Sequence, residues 1–178
     1  LFRSFCYGHR VWTQKLNGEY AADLKCACRH LHGHEGKVQI YLESINHGLD
    51  VTGMVTDFRH TEWLKKFINE NIDHQFIIDK DDPLINKLID VDTKVIPVLV
   101  PDTAHVAGWK IDLTDVEPNT PDYEYKEGFF IVDFVPTSEN LSRWITDIVN
   151  VKMSKLNVRV HHTDWWETPK SRSSYYPN

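Results

Sequence analysis

Two histidines separated by one glycine, His32-Gly33-His34, with a cysteine four positions before the first of them, Cys28, form the stretch best equipped for chemistry. On extended backbone, side chains at i and i+2 share a face, so His32 and His34 can converge on one metal ion. Gly33 lets the chain pass close by without a Cβ. Zinc held by three histidines keeps a fourth position open for substrate or water, as catalytic sites do. The third ligand has to come from elsewhere in the chain, and His9 on the first predicted strand is the choice. The nearby thiols leave a second arrangement open. Cys26, Cys28, His32 and His34 together also satisfy a closed, four-ligand structural zinc site. Cys28 is then a ligand in one reading and a base or nucleophile beside the metal in the other.

The elements that must position these groups are readable from periodicity. Phe5, Tyr7 and His9 alternate with Cys6, Gly8 and Arg10, predicting a strand over Phe2–Val11. Val38, Ile40 and Leu42 alternate with Gln39, Tyr41 and Glu43, a second strand beginning near His34. Trp63, Leu64, Phe67, Ile68 and Ile72 make one apolar stripe and predict a helix over His60–Ile72. A second helix is predicted over Ser138–Met153, with Thr137 or Ser138 as its cap and Leu141, Trp144, Ile145, Ile148 and Val149 as its buried face. Asn157–His162 reads as a further strand, followed by Trp-Trp-Glu-Thr and a polar, aromatic tail. Val95–Val100 and Phe129–Val135 are strand-like and are expected to pair. The acidic, proline-containing stretch between them makes residues 80–127 an expected excursion from a single domain spanning 1–178.

Composition narrows the function classes. A chain of 178 residues is about one domain long and can bury its own core. The net charge of -6 argues against a general binder of nucleic acid or of anionic membrane. Three cysteines in a chain this long suit a reducing compartment. With no apolar run long enough to span a bilayer and no apolar segment in the first residues, the expectation is a soluble cytoplasmic protein.

Several ordered blocks carry a resemblance. Phe5-Cys-Tyr-Gly-His9-Arg10 and Cys28-x3-His32-Gly-His34 come first, then Gly53-Met-Val-Thr-Asp57-Phe58. Ile72-Asp73-His74 with Asp79 beyond, Pro136-Thr137-Ser138-Glu139-Asn140, and Glu167-Thr168 complete the set. In this order they resemble the zinc-dependent pterin synthases, which comprise 6-pyruvoyltetrahydropterin synthase and 6-carboxytetrahydropterin synthase. The resemblance implies an α+β tunnelling fold, a four-stranded antiparallel sheet with two helices on one face. Such units join into an oligomeric barrel, usually a homohexamer, with active sites between subunits. It implies His9, His32 and His34 as ligands of Zn2+, Cys28 as the catalytic thiol, and Asp73 and His74 as its proton relay. Glu167 becomes the anchor of the pterin ring, and Thr137 and Ser138 line the pocket.

The implied activity is that of a lyase acting on 7,8-dihydroneopterin triphosphate. Its product is 6-carboxy-5,6,7,8-tetrahydropterin, with loss of acetaldehyde and triphosphate, a step toward 7-deazaguanine nucleosides such as queuosine. The other branch of the family makes 6-pyruvoyltetrahydropterin and has its thiol six residues before the His-Gly-His, the spacing of Cys26. The four-residue spacing favours Cys28. A non-catalytic, zinc-stabilised binding module is the reading from another class. Arg10, Lys25 and Arg29 are candidate triphosphate contacts.

Overall fold

The computed structural model describes residues 1–90 and 92–178. Eight strands form one mixed sheet in the order β4-β5-β6-β3-β1-β2-β7-β8. They are β1 (Phe2–His9), β2 (His32–Ser44), β3 (Gln75–Asp79), β4 (Val95–Leu99), β5 (Val106–Ile111), β6 (Phe129–Val132), β7 (Val158–Thr168) and β8 (Ser171–Tyr175). The helices are α1 (Glu62–Asn71), the single turn α2 (Ile85–Leu88), α3 (Pro121–Glu127) and α4 (Ser138–Met153). No helix among the described residues is long and apolar enough to cross a membrane.

The centre of the sheet follows from alternation. β1 and β2 pair antiparallel with Tyr7 opposite His34 and His9 opposite His32, and β2 pairs with β7 on its other side. Residues opposite one another share a face, so Phe5, Tyr7, Val38, Ile40, Val160 and Trp165 make one apolar surface. Helices α1 and α4 close over it with Leu64, Phe67 and Ile68 from the first and Leu141, Trp144, Ile145, Ile148 and Val149 from the second. Each large aliphatic or aromatic side chain so buried contributes roughly 1.5–3 kcal/mol. The start of α4 is set by Thr137, whose hydroxyl accepts the Asn140 backbone N–H at 3.2 Å. The predicted helix over His60–Ile72 begins with a 3-10 turn, Phe58–Thr61, in which the Asp57 carboxylate accepts the Arg59 N–H at 2.8 Å.

Three expectations are corrected. The sheet is neither four-stranded nor wholly antiparallel, because β3 pairs in parallel with β1 on one side and with β6 on the other. Parallel neighbours need a crossover between them, and residues between β3 and β6 supply it. The stretch at 80–127 is therefore not an excursion from the sheet: β4 and β5 extend it. Nor do β4 and β6 pair, since β5 lies between them, with Pro97 opposite Trp109 and Trp109 opposite Ile131. A second apolar cluster holds this part to the sheet. Ile78, Ile89, Ile111, Phe129 and Ile131 pack on the face away from α1 and α4, with Ile85 and Leu88 of α2 against them. Strand β6 is thus buried on both faces, which is why Phe129–Val132 is continuously apolar rather than alternating.

Candidate metal centre

Three imidazoles meet at the end of the β1–β2 hairpin. One ring nitrogen from each of His9, His32 and His34 lies within 4.8 Å of the others, the only group of three or more potential metal ligands among the described residues. His9 Nε2 and His34 Nε2 are 3.1 Å apart, close to the separation of about 3.3 Å between two nitrogens on a tetrahedral zinc. The strand register produces this directly, since His9 faces His32 across the hairpin and His34 is two residues on along the same face.

The opposite ring nitrogens are already committed. His9 Nδ1 donates to the Pro136 carbonyl at 2.6 Å, and His32 Nδ1 donates to the His30 carbonyl at 2.8 Å. Carbonyl oxygens only accept, so these bonds put the proton on Nδ1 and leave the Nε2 lone pairs free for a cation. Beneath them lies Tyr7, its ring centre 5.2 Å from that of His9 and 5.7 Å from that of His34. Its hydroxyl accepts the Trp165 indole N–H at 3.1 Å. Burial holds the Tyr7 hydroxyl well above its usual pKa, so it stays protonated. Burial also lowers the pKa of His9 to about 4, helped by the neighbouring His32 and His34. His34 is shifted down as well, by burial and then by His32. Near neutral pH, His9 and His34 therefore stand neutral, the form that ligates metal.

Glu167 stands beside the cluster, its Oε1 3.8 Å from His9 Nε2. The β7–β8 register shifts between Trp166 and Thr168, and the irregularity falls at Glu167. Such a bulge re-aims a side chain at a site. Burial raises the Glu167 pKa, as does Glu139 at the start of α4. Next to it, Ser173 of β8 donates to Glu139 Oε1 at 3.0 Å and shares a hydrogen bond of 2.7 Å with Ser138. Thr137 and Ser138 thus lie at the helix start whose preceding carbonyl, Pro136, holds His9. The role of the Pro136 carbonyl is not legible from the sequence, because a main-chain acceptor has no residue type to mark it. In the sequence Glu139 stands within the Pro136–Asn140 block with no role of its own, and Ser173 falls in the polar, aromatic tail.

The remaining predicted residues are distributed differently. Cys28 is half-buried in a 3-10 turn, Ala27–Arg29. Neither it nor Cys26, whose thiol faces the Leu24 carbonyl at 3.7 Å, joins the histidine group. A closed site of Cys26, Cys28, His32 and His34 is therefore not formed. Asp73 and His74 lie together, with Nδ1 of His74 3.0 Å from Asp73 Oδ1. Asp73 Oδ1 also accepts the Cys6 N–H at 2.9 Å, and the Cys6 carbonyl accepts the His74 N–H. By strand alternation Cys6 points away from the face that carries Tyr7 and His9. His74 is exposed there, along a groove of about 650 Å³ lined by Cys6, Gly8, Glu35 and Phe76 among others. Among the described residues no hydrogen bond or ion pair links Cys28 to Asp73 or His74 within the chain. Of the three candidate triphosphate contacts, Lys25 and Arg29 are exposed. Arg10 is not available, since its Nε lies 3.0 Å from the Asp82 carboxylate and both are largely buried.

Known proteins resemble this chain both in sequence and in fold. The family model described as 6-pyruvoyl tetrahydropterin synthase matches residues 2–178. A 6-carboxy-5,6,7,8-tetrahydropterin synthase of Aquifex aeolicus is 29% identical over 177 residues, covering 94% of this chain and 90% of its own. An uncharacterized protein of Wolinella succinogenes superposes with a TM-score of 0.88 at 40% identity, covering 100% of this chain and 96% of its own. The 6-pyruvoyl tetrahydropterin synthase of Plasmodium vivax shares the fold, with a TM-score of 0.54 at 17% identity over 100% of this chain and 96% of its own.

Proposed function

Because this chain belongs to the 6-pyruvoyl tetrahydropterin synthase family, we propose that it is the carboxy-forming kind of pterin lyase. It converts 7,8-dihydroneopterin triphosphate to 6-carboxy-5,6,7,8-tetrahydropterin with release of acetaldehyde and triphosphate. The observation that carries this reading is the three-histidine cluster with Glu167 beside it. The 29% identity to a 6-carboxytetrahydropterin synthase over nearly the whole chain, and the four-residue spacing of Cys28 from His32, favour this branch.

His9, His32 and His34 fit a zinc ion, since their Nε2-side lone pairs converge and the outer nitrogens of His9 and His32 are held. Zinc there supplies Lewis acidity to the oxygens of the substrate side chain, which makes adjacent protons easier to remove. Glu167 accepts hydrogen bonds from the 2-amino group and a ring N–H of the pterin, a pairing that reads both donors at once. Thr137 and Ser138, at the start of α4, border the ring. Cys28 takes a proton from the side chain. Asp73 fixes the His74 tautomer through Nδ1, which leaves Nε2 to move a proton to or from the departing fragment.

The relay pair and Cys28 are not in contact within one chain, and the face carrying His74 is open. We place the active site between subunits of a tunnelling-fold barrel, a homohexamer, in which the relay of one subunit serves the thiol of the next. The pathway assignment to 7-deazaguanine synthesis and a cytoplasmic location belong to the same reading, as does one domain over residues 1–178.

Product analysis tests it. Zinc-loaded protein incubated with 7,8-dihydroneopterin triphosphate should give carboxytetrahydropterin and acetaldehyde by mass spectrometry. Pyruvoyltetrahydropterin as sole product assigns the other branch, and an intact substrate after prolonged incubation refutes the enzyme reading. Cys28→Ala should abolish turnover while zinc stays bound, whereas Cys26→Ala should leave turnover near wild type.

A further inference from the structure

Between β1 and β2 the chain runs for more than twenty residues without a strand, yet the thiol-bearing turn within it is held at both of its main-chain polar groups. The Cys28 N–H donates to Gln14 Oε1 at 3.0 Å, and the Cys28 carbonyl accepts the Val11 N–H at 2.7 Å. Val11 and Gln14 are themselves joined, since the Gln14 N–H donates to the Val11 carbonyl at 3.0 Å. One small turn, residues 11–14, therefore grips Cys28 from both sides.

That turn is in turn tied to the sheet. The Trp12 indole N–H donates to Asp79 Oδ2 at 2.9 Å, and Asp79, at the end of β3, is 3% exposed. Asp79 Oδ1 accepts the Asp81 N–H at 3.0 Å, so this carboxylate cannot swing away. Two residues before Trp12, Arg10 pairs with Asp82, which is 1% exposed and accepts the Leu84 N–H at 2.8 Å through its other oxygen. Both acidic residues are buried and both hold the chain just after His9. The connection runs from β3 through Trp12 to residues 11–14 and on to the Cys28 main chain.

We propose that Gln14 is a positioning residue for Cys28, with Trp12 and Asp79 as its anchor to the sheet. The proposal rests on the role given to Cys28 above. Gln14 acts by fixing the backbone from which the thiol projects. A thiol on an untethered turn samples many directions, and misplacement of a reacting group by about 1 Å costs on the order of a hundredfold in rate. Loss of one of the two bonds to Cys28 leaves the other in place, so a smaller loss, roughly tenfold, is expected.

The experiment uses full-length, zinc-loaded protein in three forms: wild type, Gln14→Ala and Gln14→Glu. The glutamate keeps an oxygen where the Cys28 N–H donates. Two readouts are taken. In the first, turnover of 7,8-dihydroneopterin triphosphate should show kcat reduced about tenfold in Gln14→Ala, with KM and zinc content unchanged, and largely restored in Gln14→Glu. In the second, alkylation by iodoacetamide at a pH where all thiols are ionised is resolved peptide by peptide. Cys28 should react roughly threefold faster or more in Gln14→Ala, because an untethered turn opens more often, while Cys6 and Cys26 keep their wild-type rates. A Cys28 alkylation rate in Gln14→Ala equal to wild type overturns the proposal, and so does an equal change at all three cysteines. If wild type turns over no substrate but the selective change at Cys28 is seen, the positioning stands and the assigned reaction falls.

Discussion

Acid should destabilise the metal-free protein through one identifiable group, His9. Its side chain is 1% exposed, its Nδ1 is committed to Pro136, and burial together with His32 and His34 brings its pKa to about 4. In the unfolded chain the same imidazole titrates near 6.5. Between these values the unfolded state binds more protons, so stability rises with pH. The contribution is fully present above about pH 6.5 and is lost as pH falls toward 4. Integrating the two titrations gives a loss of about 2 kcal/mol between pH 7 and pH 5, and about 3 kcal/mol once pH has passed below 4. The assay is urea denaturation in the presence of a chelator at pH 7, 6 and 5, for wild type and for His9→Gln, which cannot titrate. The stability difference, wild type minus variant, should shrink by about 2 kcal/mol from pH 7 to pH 5. A difference constant to within about 0.5 kcal/mol over that range would refute the assignment of a buried, neutral His9. Adding zinc should raise stability at every pH by an amount that grows with its free concentration, and should do so least at pH 5, where protons compete for the ligand nitrogens.

Three further outcomes follow from the same geometry. Gly36 lies opposite Phe5, and a Cβ there would sit 2.6 Å from Tyr7 Cε1 and 2.8 Å from Phe5 Cε2. Gly36→Ala should therefore cost about 1–3 kcal/mol in denaturant unfolding and weaken zinc retention by shifting the ring under His9 and His34. Tyr7→Phe removes the acceptor of the Trp165 indole N–H. It should cost about 1–3 kcal/mol by the same measurement, since a buried donor is left unpaired. His34→Ala should lower the zinc content measured by atomic absorption to well below one ion per chain, whereas His74→Ala should leave it at the wild-type value and remove turnover.

The readable parts of this molecule are those governed by a single local period. Tyr7-Gly8-His9 and His32-Gly33-His34 show their shared face in the sequence because a strand alternates every second residue, and β1, β2 and the three-histidine group follow. Helix α4 is equally legible, as Thr137 marks its start and its apolar stripe runs to Met153. What could not be read depends on neighbours distant in the chain. The span Gln75–Asp79 is apolar on both faces because other elements cover both, and from periodicity alone it has no assignable direction. In β5 the short run Val106–Ile111 is framed by acidic and proline-containing turns, and its insertion between β4 and β6 is decided by pairing alone. The C-terminal strand β8, Ser-Arg-Ser-Ser-Tyr, is an edge with little apolar content, and it reads as a tail. At the site, Glu167 needed the resemblance, since a glutamate after a strand is ordinarily solvated. Arg10 is a candidate phosphate contact by its charge alone, and its buried partner Asp82, 72 positions away, could not be seen in the sequence.

The three imidazoles belong to the β1–β2 hairpin, contained in the first 44 residues, so they can come together as soon as that hairpin pairs. The carbonyl that orients His9 belongs to Pro136, 127 positions further along. A chain in which that segment has not yet docked would present the same three nitrogens with the His32 tautomer set by His30 and the His9 tautomer unset. The segment that leads into α4 therefore links the local geometry of the hairpin to the packing of the far end of the chain.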